Sequence, residues 1–227
     1  MTRAAPILVF DVNETLLDLT TLEPLFESLF GERRAMREWF AELVSYAQTL
    51  TLAGYYRPFN EVAAAALRLR GEVAGVSITQ ADCQALGAAV GAMPAVNDAA
   101  PALARLRAAG YRLVTLTNSP PAPAPTPLER AGLAGYFEQH FSVDRVQCFK
   151  PAPACYHTVA DALSVPAESL CLVACHVWDT LGAQAAGCQG AFIKRPGNAV
   201  LSLDGVPAPT FVADDLGALA TQLGCPD

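Results

Sequence analysis

Residues 7–17 read Ile-Leu-Val-Phe-Asp-Val-Asn-Glu-Thr-Leu-Leu, and this stretch decides the fold. Four apolar residues lead directly to Asp11, and a polar turn and a new apolar segment follow. A short continuous apolar run of this kind predicts a strand buried on both faces, as in a parallel sheet. Since the chemistry of open α/β sheets collects at the carboxyl ends of the strands, Asp11 is either a reactive carboxylate or the cap of the next helix.

The composition allows one α/β domain, with or without a smaller inserted domain. The 227 residues are 52% hydrophobic, and the net charge of −7 argues against binding nucleic acid. No run of apolar residues is long enough for a membrane span, and the N-terminus lacks the pattern of a signal peptide. The seven cysteines form no CxxC pair, which argues against a zinc site and is typical of reduced thiols in a cytoplasmic protein.

A block of helices is predicted between the first strand and the rest of the chain. Apolar residues recur at helical spacing from about residue 18 to 95. The predicted helices lie around 22–29, 34–52 and 61–70, and a fourth begins after Ser77 or Thr79. We therefore expect a core formed by residues 1–17 and 96–227, with residues 18–95 inserted as a helical domain.

From Asn97 onward, strands and helices alternate. Strands are predicted at 111–117, 170–174, 191–193 and 211–212, and helices after Asp98, after Pro153, and over 178–188 and 216–223. The proline-rich residues 121–127 should stay extended and form a stiff surface loop. The alternation predicts a doubly wound parallel sheet with a Rossmann-like core.

Polar side chains collect where the predicted strands end. They are Asp11, the group Thr117-Asn118-Ser119, the segment from His176 to Asp179, and Lys150-Pro151 ahead of the helix that carries Tyr156. Each of these short motifs is common by itself. Their order and spacing together are the informative feature.

In order and spacing these motifs resemble those of the haloacid dehalogenase superfamily, and most closely its L-2-haloacid dehalogenase branch. The matching residues are Asp11 with Thr15, Thr117 with Asn118, Lys150-Pro151 with Tyr156 six residues after the lysine, and Trp178 with Asp179. The resemblance covers nearly the whole chain. It implies that the helical insertion is a cap domain over the active site.

The resemblance implies a role for each motif. Asp11 is the nucleophile, and Thr15 is the second residue of the same catalytic motif. The ammonium of Lys150 keeps Asp11 ionised. Thr117 and Asn118 donate hydrogen bonds to a carboxylate or an anionic intermediate. Asp179 either orients Lys150, helps to activate water, or only caps its helix. Tyr156 either contacts substrate or belongs to the core, and Phe59 and Trp178 match apolar pocket positions.

Two positions depart from the phosphatases of the superfamily. Asn13 stands where they carry a second aspartate as acid for the leaving group, and an amide cannot transfer that proton. Cys175 stands where they carry an extra carboxylate for magnesium, which prefers oxygen ligands. We therefore expect no metal and no cofactor.

Three positions depart from the dehalogenases. Phe40 stands where their cap carries an arginine, His176 where they carry asparagine, and Asn13 where they carry tyrosine. A phenyl ring cannot supply a charged donor, which predicts weak or narrow dehalogenation. His176 either supports its neighbours through hydrogen bonds or acts as a base or as a cation at the halide.

The predicted function is that of a hydrolase acting on a small 2-haloacid. Asp11 would attack carbon and displace halide, and water would then cleave the aspartyl ester. The resemblance also implies pairing through the cap, so a homodimer is expected as well as the small-molecule substrate. A small-molecule phosphatase of the same superfamily, or a binding protein that has lost turnover, are the alternatives.

Overall fold

The computed structural model describes residues 5–226 as an α/β fold with a parallel sheet and a helical insertion. The strands are β1 (Ile7–Phe10), β2 (Leu113–Thr117), β3 (Gln139–Ser142), β4 (Leu170–Ala174), β5 (Gln189–Ile193) and β6 (Phe211–Ala213). The helices are α1 (Glu23–Phe30), α2 (Ala35–Leu52), α3 (Phe59–Ala74), α4 (Gln80–Gly91), α5 (Ala99–Ala108), α6 (Pro127–Arg130), α7 (Pro153–Leu163), α8 (Val177–Ala185) and α9 (Leu216–Gln222).

The sheet has the strand order β3-β2-β1-β4-β5-β6, and every paired strand in it is parallel. The chain starts in the middle of the sheet, extends first to one side and then to the other, which is the doubly wound arrangement. All four residues of β1 are buried, as the apolar run predicts. The pairing continues to the end of β1, where the N–H of Asp11 donates to the carbonyl of Val173 at 3.0 Å.

Helices α1 to α4 lie between β1 and β2, as the sequence predicts. The buried indole of Trp39 on α2 donates to the carbonyl of Ala63 on α3 at 3.0 Å and ties these two helices together. The two ends of the insertion run side by side, because the N–H of Asp18 donates to the carbonyl of Pro94 at 2.8 Å. The division into residues 1–17 with 96–227 and an inserted domain of residues 18–95 stays a prediction.

Two sequence predictions differ from the structure. The edge strand β3 was not predicted, because Gln139 and His140 are exposed and break the apolar pattern. Asp98 does not cap α5 with its side chain, since its carboxylate binds the Arg195 guanidinium at 2.9 Å instead.

Two further predictions agree with the structure. All seven cysteines are free thiols, and six of them are buried. Within residues 5–226, no helix has both the length and the apolar character needed to cross a membrane.

Candidate active site

Asp11 lies at the centre of a buried cluster of charged residues at the carboxyl end of β1. Its side chain is almost fully enclosed, and Nζ of Lys150 donates to its Oδ1 at 2.8 Å. Thr15 donates from its hydroxyl to Oδ2 of Asp11 at 2.8 Å. The turn after β1 brings these two side chains together, because four residues separate them and the chain folds back at Glu14.

Lys150 is itself held by groups from three strand ends. Besides Asp11, its ammonium donates to Oδ2 of Asp179 at 2.7 Å and to the carbonyl of Leu116 at 3.1 Å. The backbone N–H of Lys150 donates to Oδ1 of Asn118 at 3.0 Å. All the donors of an ammonium are therefore used, and Lys150 has one fixed position.

Asp179 connects Lys150 to the core of the sheet. The hydroxyl of Tyr156 donates to Oδ1 of Asp179 at 2.7 Å, and Asp179 is completely buried. The carboxylate of Asp179 therefore binds Lys150 and Tyr156, and the interpretation of Asp179 as a mere helix cap is wrong. Tyr156 is buried as a core residue, yet its hydroxyl takes part in this network.

His176 occupies the opposite side of Asp11 from Lys150. Its Nδ1 lies 3.2 Å from Oδ2 of Asp11, and its Nε2 lies 2.8 Å from Oε2 of Glu14. The imidazole stacks on Trp178 with ring centres 5.0 Å apart, and Phe40 covers the ring at 5.5 Å. His176 is only 4% exposed, so both of its nitrogens are committed to buried carboxylates.

Glu14 continues this chain of contacts outward. Its Oε1 pairs with the Arg37 guanidinium on α2, and Arg37 also donates to the carbonyl of Pro196 at 2.9 Å. The backbone of Glu14 has φ 66°, in the left-handed region that favours glycine. Glutamate at this place therefore depends on the contacts that its side chain makes.

The cluster is strongly polarised. Burial by itself raises the pKa of Asp11, but Lys150 and His176 outweigh burial and hold the pKa well below its usual range. Burial lowers the pKa of His176, but Cys175 and the carboxylates of Asp11 and Glu14 outweigh it and raise the pKa well above its usual value. These shifts favour an ionised Asp11 with a cation on each side, Lys150 and His176.

A cavity of about 870 Å³ lies beside this cluster, between the helical insertion and the ends of β2 and β3. Residues from α2, α3 and α4 and the proline-rich loop line it, together with polar residues at the strand ends. It reaches Asn13, Thr117 and Ser119, which flank Asp11, whereas Asp11 itself is 5% exposed and lies behind them. The cavity is lined mainly by apolar side chains, which suits a small organic substrate.

Comparison with known proteins identifies the family. Residues 6–187 match the haloacid dehalogenase-like hydrolase model. The chain belongs to this family. It is 28% identical over 218 residues to an (S)-2-haloacid dehalogenase of Pseudomonas putida, with 95% of each chain covered. It is 30% identical over 190 residues to (S)-2-haloacid dehalogenase 1 of Pseudomonas sp. strain CBS-3, which covers 82% of this chain and 83% of that relative.

A solved structure of an L-2-haloacid dehalogenase superposes with a TM-score of 0.90. Its sequence is 30% identical, and the match covers 97% of this chain and 99% of that one. This haloacid dehalogenase-like hydrolase therefore belongs to the L-2-haloacid dehalogenase branch.

The structure of the hydrolase brings together all four residues that the sequence predicts as catalytic. Asp11, Thr15, Lys150 and Asp179 form one hydrogen-bonded group. Of the eight residues predicted to bind substrate, Asn13, Thr117, Phe40 and Phe59 line the cavity, and Asn118, Tyr156, His176 and Trp178 do not.

These last four lie behind the wall of the cavity for physical reasons. Asn118 accepts a hydrogen bond from the N–H of Lys150, and the hydroxyl of Tyr156 donates one to Asp179. The ring of Trp178 covers His176, and the Lys150 ammonium lies 5.9 Å from its centre. The oxygens of Thr117 and Asn118 accept hydrogen bonds from the N–H groups of Ser119 at 3.1 Å and of Lys150 at 3.0 Å, and their predicted role as donors to substrate stays a prediction.

Sequence reasoning missed Glu14 and Arg37. Glu14 stands in the motif quoted first, and a carboxylate in so apolar a stretch needs a partner, so a signal for it existed. Arg37 gives no comparable signal, because its pairing depends on how α2 packs over the turn. Arg57, which precedes α3 in the inserted helices, is exposed and paired with Glu61 at 2.9 Å, so it does not take the place of a buried arginine at Phe40.

Glu14, Cys175 and His176 offer ligand atoms within 4.8 Å of one another. The two nitrogens of His176 already contact carboxylates, and Glu14 pairs with Arg37. Buried Cys175 contacts the hydroxyl of Thr15 through its N–H at 3.1 Å. These contacts make the group an ion-paired cluster rather than a set of open ligands.

Proposed function

We propose that this protein is a hydrolytic dehalogenase of small (S)-2-haloacids in which Asp11 is the nucleophile. The observation that carries the proposal is the ionised carboxylate of Asp11, buried at the carboxyl end of β1, held by Lys150 and bordered by a largely apolar cavity. The dehalogenases to which the chain is similar support the substrate class.

The proposed reaction has two steps. One oxygen of Asp11 attacks C2 of the haloacid, the carbon–halogen bond breaks, and halide leaves with the electron pair. Water then adds to the carbonyl carbon of the aspartyl ester, and cleavage releases a 2-hydroxy acid and restores Asp11. This chemistry needs no metal or cofactor.

The remaining site residues have supporting roles in this proposal. Lys150 keeps Asp11 ionised and oriented, and Asp179 with Tyr156 fixes Lys150 from behind. Thr15 and Asn118 hold the turn and the lysine in place. Asn13, Thr117, Phe40 and Phe59 form the wall that faces substrate.

Phe40 sets the efficiency of the proposed enzyme. The resemblance implies that Phe40 stands where the related dehalogenases carry a cap arginine, and its ring lies over His176. Losing one charged donor at a developing anion costs about 3 kcal/mol, or roughly a hundredfold in rate. We therefore expect slow dehalogenation, with the charge of His176 behind Phe40 replacing part of the missing cation.

The direct test measures halide release from both enantiomers of 2-chloropropionate, followed by one turnover in H₂¹⁸O. We expect release from the (S) enantiomer, with ¹⁸O entering the Asp11 carboxylate before it enters product. Label that appears only in lactate would remove Asp11 as nucleophile. A parallel assay with p-nitrophenyl phosphate tests the phosphatase alternative, and substrate binding without any product would indicate a protein that has lost turnover.

A further inference from the structure

Six charged side chains form one buried group around Asp11. Three are carboxylates, namely Asp11, Glu14 and Asp179, and three are bases, namely Lys150, His176 and Arg37. Lys150 is shared by Asp11 and Asp179, and Arg37 binds Glu14. The group is electrically neutral only when His176 is protonated.

The two sides of Asp11 are chemically different. On one side Lys150 is a permanent cation with all of its donors used. On the other side His176 is a titratable ring whose Nδ1 lies 3.2 Å from Oδ2 of Asp11. Only the second side can take up and release a proton in the range where enzymes work.

Asp179 is poorly placed to act as a base. Its Oδ2 accepts from Lys150 and its Oδ1 accepts from Tyr156, and the residue has no exposed surface. A base must reach the proton that it abstracts directly or through one water. Nδ1 of His176 lies 3.2 Å from Oδ2 of Asp11, so a water that attacks the ester carbon from this side would come within reach of the ring.

Glu14 has the geometry of a partner that orients a base. It binds the nitrogen of His176 that points away from Asp11, at 2.8 Å. The left-handed backbone at Glu14 lowers stability by about 1 kcal/mol relative to glycine at the same φ, so the contacts of the Glu14 side chain have to offset this loss. A nucleophile, a histidine and an acid in this order are recognised by geometry and roles rather than by position in the sequence.

We propose that Asp11, His176 and Glu14 form a nucleophile–base–acid triad in which His176 activates the water that hydrolyses the aspartyl ester, and Glu14 positions His176. This inference rests on the proposed function. It assigns the second step to a pair of residues on the side of Asp11 away from Lys150.

The proton balance is complete. Ester formation removes the charge of Asp11, one of the two carboxylates that stabilise the proton of His176, so this proton leaves to solvent together with the halide. Neutral His176 takes a proton from water, hydroxide adds to the ester carbonyl carbon, and the bond from that carbon to the alkyl oxygen breaks. The departing alkoxide takes the proton of the new carboxylic acid, which leaves ionised Asp11, protonated His176 and the hydroxy acid.

The experiment compares wild type, His176→Gln and Glu14→Gln during a single turnover with 2-chloropropionate. Halide release reports the first step, and the ester on Asp11 is followed by mass spectrometry of the quenched protein. We expect His176→Gln to release halide once per active site and to accumulate ester, with hydrolysis slowed about 10²- to 10⁴-fold. His157→Gln is the matched control. In the described part of the chain, the hydrogen-bond partner of the His157 ring is the Ala186 carbonyl, which lies outside the Asp11 cluster.

The pH profile of ester hydrolysis distinguishes positioning by Glu14 from a merely structural role. Hydrolysis should slow as pH falls and His176 becomes protonated, and the charge of Glu14 raises the pKa of His176. Glu14→Gln should therefore move this acidic limb to lower pH, whereas Glu27→Gln, on exposed α1, should not. The groups facing His176 are Asp11, Glu14 and Cys175, backed by Lys150 and Arg37, and the control leaves all of them in place.

Each outcome is decisive. Halide release by His176→Gln without accumulation of ester, or an acidic limb that Glu14→Gln leaves unmoved, overturns the triad while the dehalogenase function stands. No halide release from wild type overturns both proposals. If His176→Gln does not fold, the acidic limb of the pH profile of ester hydrolysis in Glu14→Gln still tests the triad.

Discussion

Glu14 binds Nε2 of His176 at 2.8 Å from a backbone that is left-handed at Glu14. The chain thus accepts local strain in order to place a carboxylate behind the imidazole. Strain of this kind at a functional site means that stability and activity are opposed at that position.

At position 14 the glycine variant should be more stable than the alanine variant, which is the reverse of the usual order in a helix. Both substitutions remove the carboxylate, but only glycine relieves the left-handed φ, so Glu14→Gly should be more stable than Glu14→Ala by about 1 kcal/mol. Denaturant unfolding measures the difference. At Glu27, within α1, the order should be normal, with alanine more stable by about 1 kcal/mol. The same order at both positions would contradict the strain at Glu14.

His176 should remain protonated in the resting protein at neutral pH. Its pKa is raised well above the usual value, whereas partial desolvation of the ring, which the surface exposure of His140 does not prevent, lowers the pKa of His140 despite the opposing charge of Glu129. NMR titration of ring nitrogens, with signals assigned by His176→Gln, should show His176 as imidazolium at pH 7 and His140 as neutral. A His176 signal that titrates near 6.5 would contradict the cluster.

The sign for stability follows from the same shift. A group whose folded pKa lies above its unfolded value of about 6.5 stabilises the protein fully below that pH. Its contribution disappears as pH rises through the folded pKa. Wild type should therefore lose more stability than His176→Gln between neutral and alkaline pH.

Asp11→Asn should abolish turnover and keep the fold. The amide has nearly the same shape but is not a nucleophile, and loss of a nucleophile costs on the order of 10⁴-fold or more in rate. Halide release measures the activity, and circular dichroism with denaturant unfolding checks the fold. A variant that retains more than a small fraction of wild-type rate would show that another group attacks the substrate.

Gly182→Ala should lower both stability and activity, because the new methyl group displaces residues that hold Lys150 in place. A Cβ at Gly182 would overlap Pro151 and come within 2.6 Å of the Tyr156 hydroxyl, so the segment that carries Lys150 must shift. We expect a loss of about 2 kcal/mol in stability and a marked loss of activity. Gly87 lies in α4 with open space around the new Cβ, so Gly87→Ala should raise stability by about 0.5–1 kcal/mol. Equal effects at the two glycines would contradict this argument.

Activity should survive chelation. Asn13 donates through its amide towards the Ser119 hydroxyl at 3.4 Å and carries no carboxylate, and the buried Cys175 beside Thr15 offers sulfur where magnesium prefers oxygen. Turnover of 2-chloropropionate with EDTA should equal turnover with added magnesium. Loss with EDTA and recovery with magnesium would favour the phosphatase alternative.

The sequence predicts the strand ends well because a parallel sheet turns sequence order into spatial order. The run before Asp11 and the run at 170–174 are apolar enough to be recognised, and both end at the same edge of the sheet. The sequence alone could therefore predict that the polar residues after these strands, including Lys150 and Asp179, lie close to Asp11. The exposed edge strand β3 lacks this pattern and was missed.

What the sequence could not predict is the direction in which each side chain points. Trp178 matches an apolar pocket position and Tyr156 could contact substrate or belong to the core, and packing places Trp178 on His176 and Tyr156 on Asp179. The pairing of Glu14 with Arg37 depends on the seating of α2 over the turn. Such choices are made by tertiary packing and by the need to neutralise buried charge, neither of which spacing along the chain can express.

Arg37 makes the inserted helices part of the protonation chemistry. It reaches from α2 to Glu14 and to the Pro196 carbonyl, so one guanidinium joins α2 to the turn after β1 and to the segment after β5. Arg37 and protonated His176 share the carboxylate of Glu14, so each cation weakens the hold of the other on that group. By thermodynamic reciprocity, protonation of His176 should weaken the Arg37–Glu14 pair, and removal of Arg37 should raise the pKa of His176.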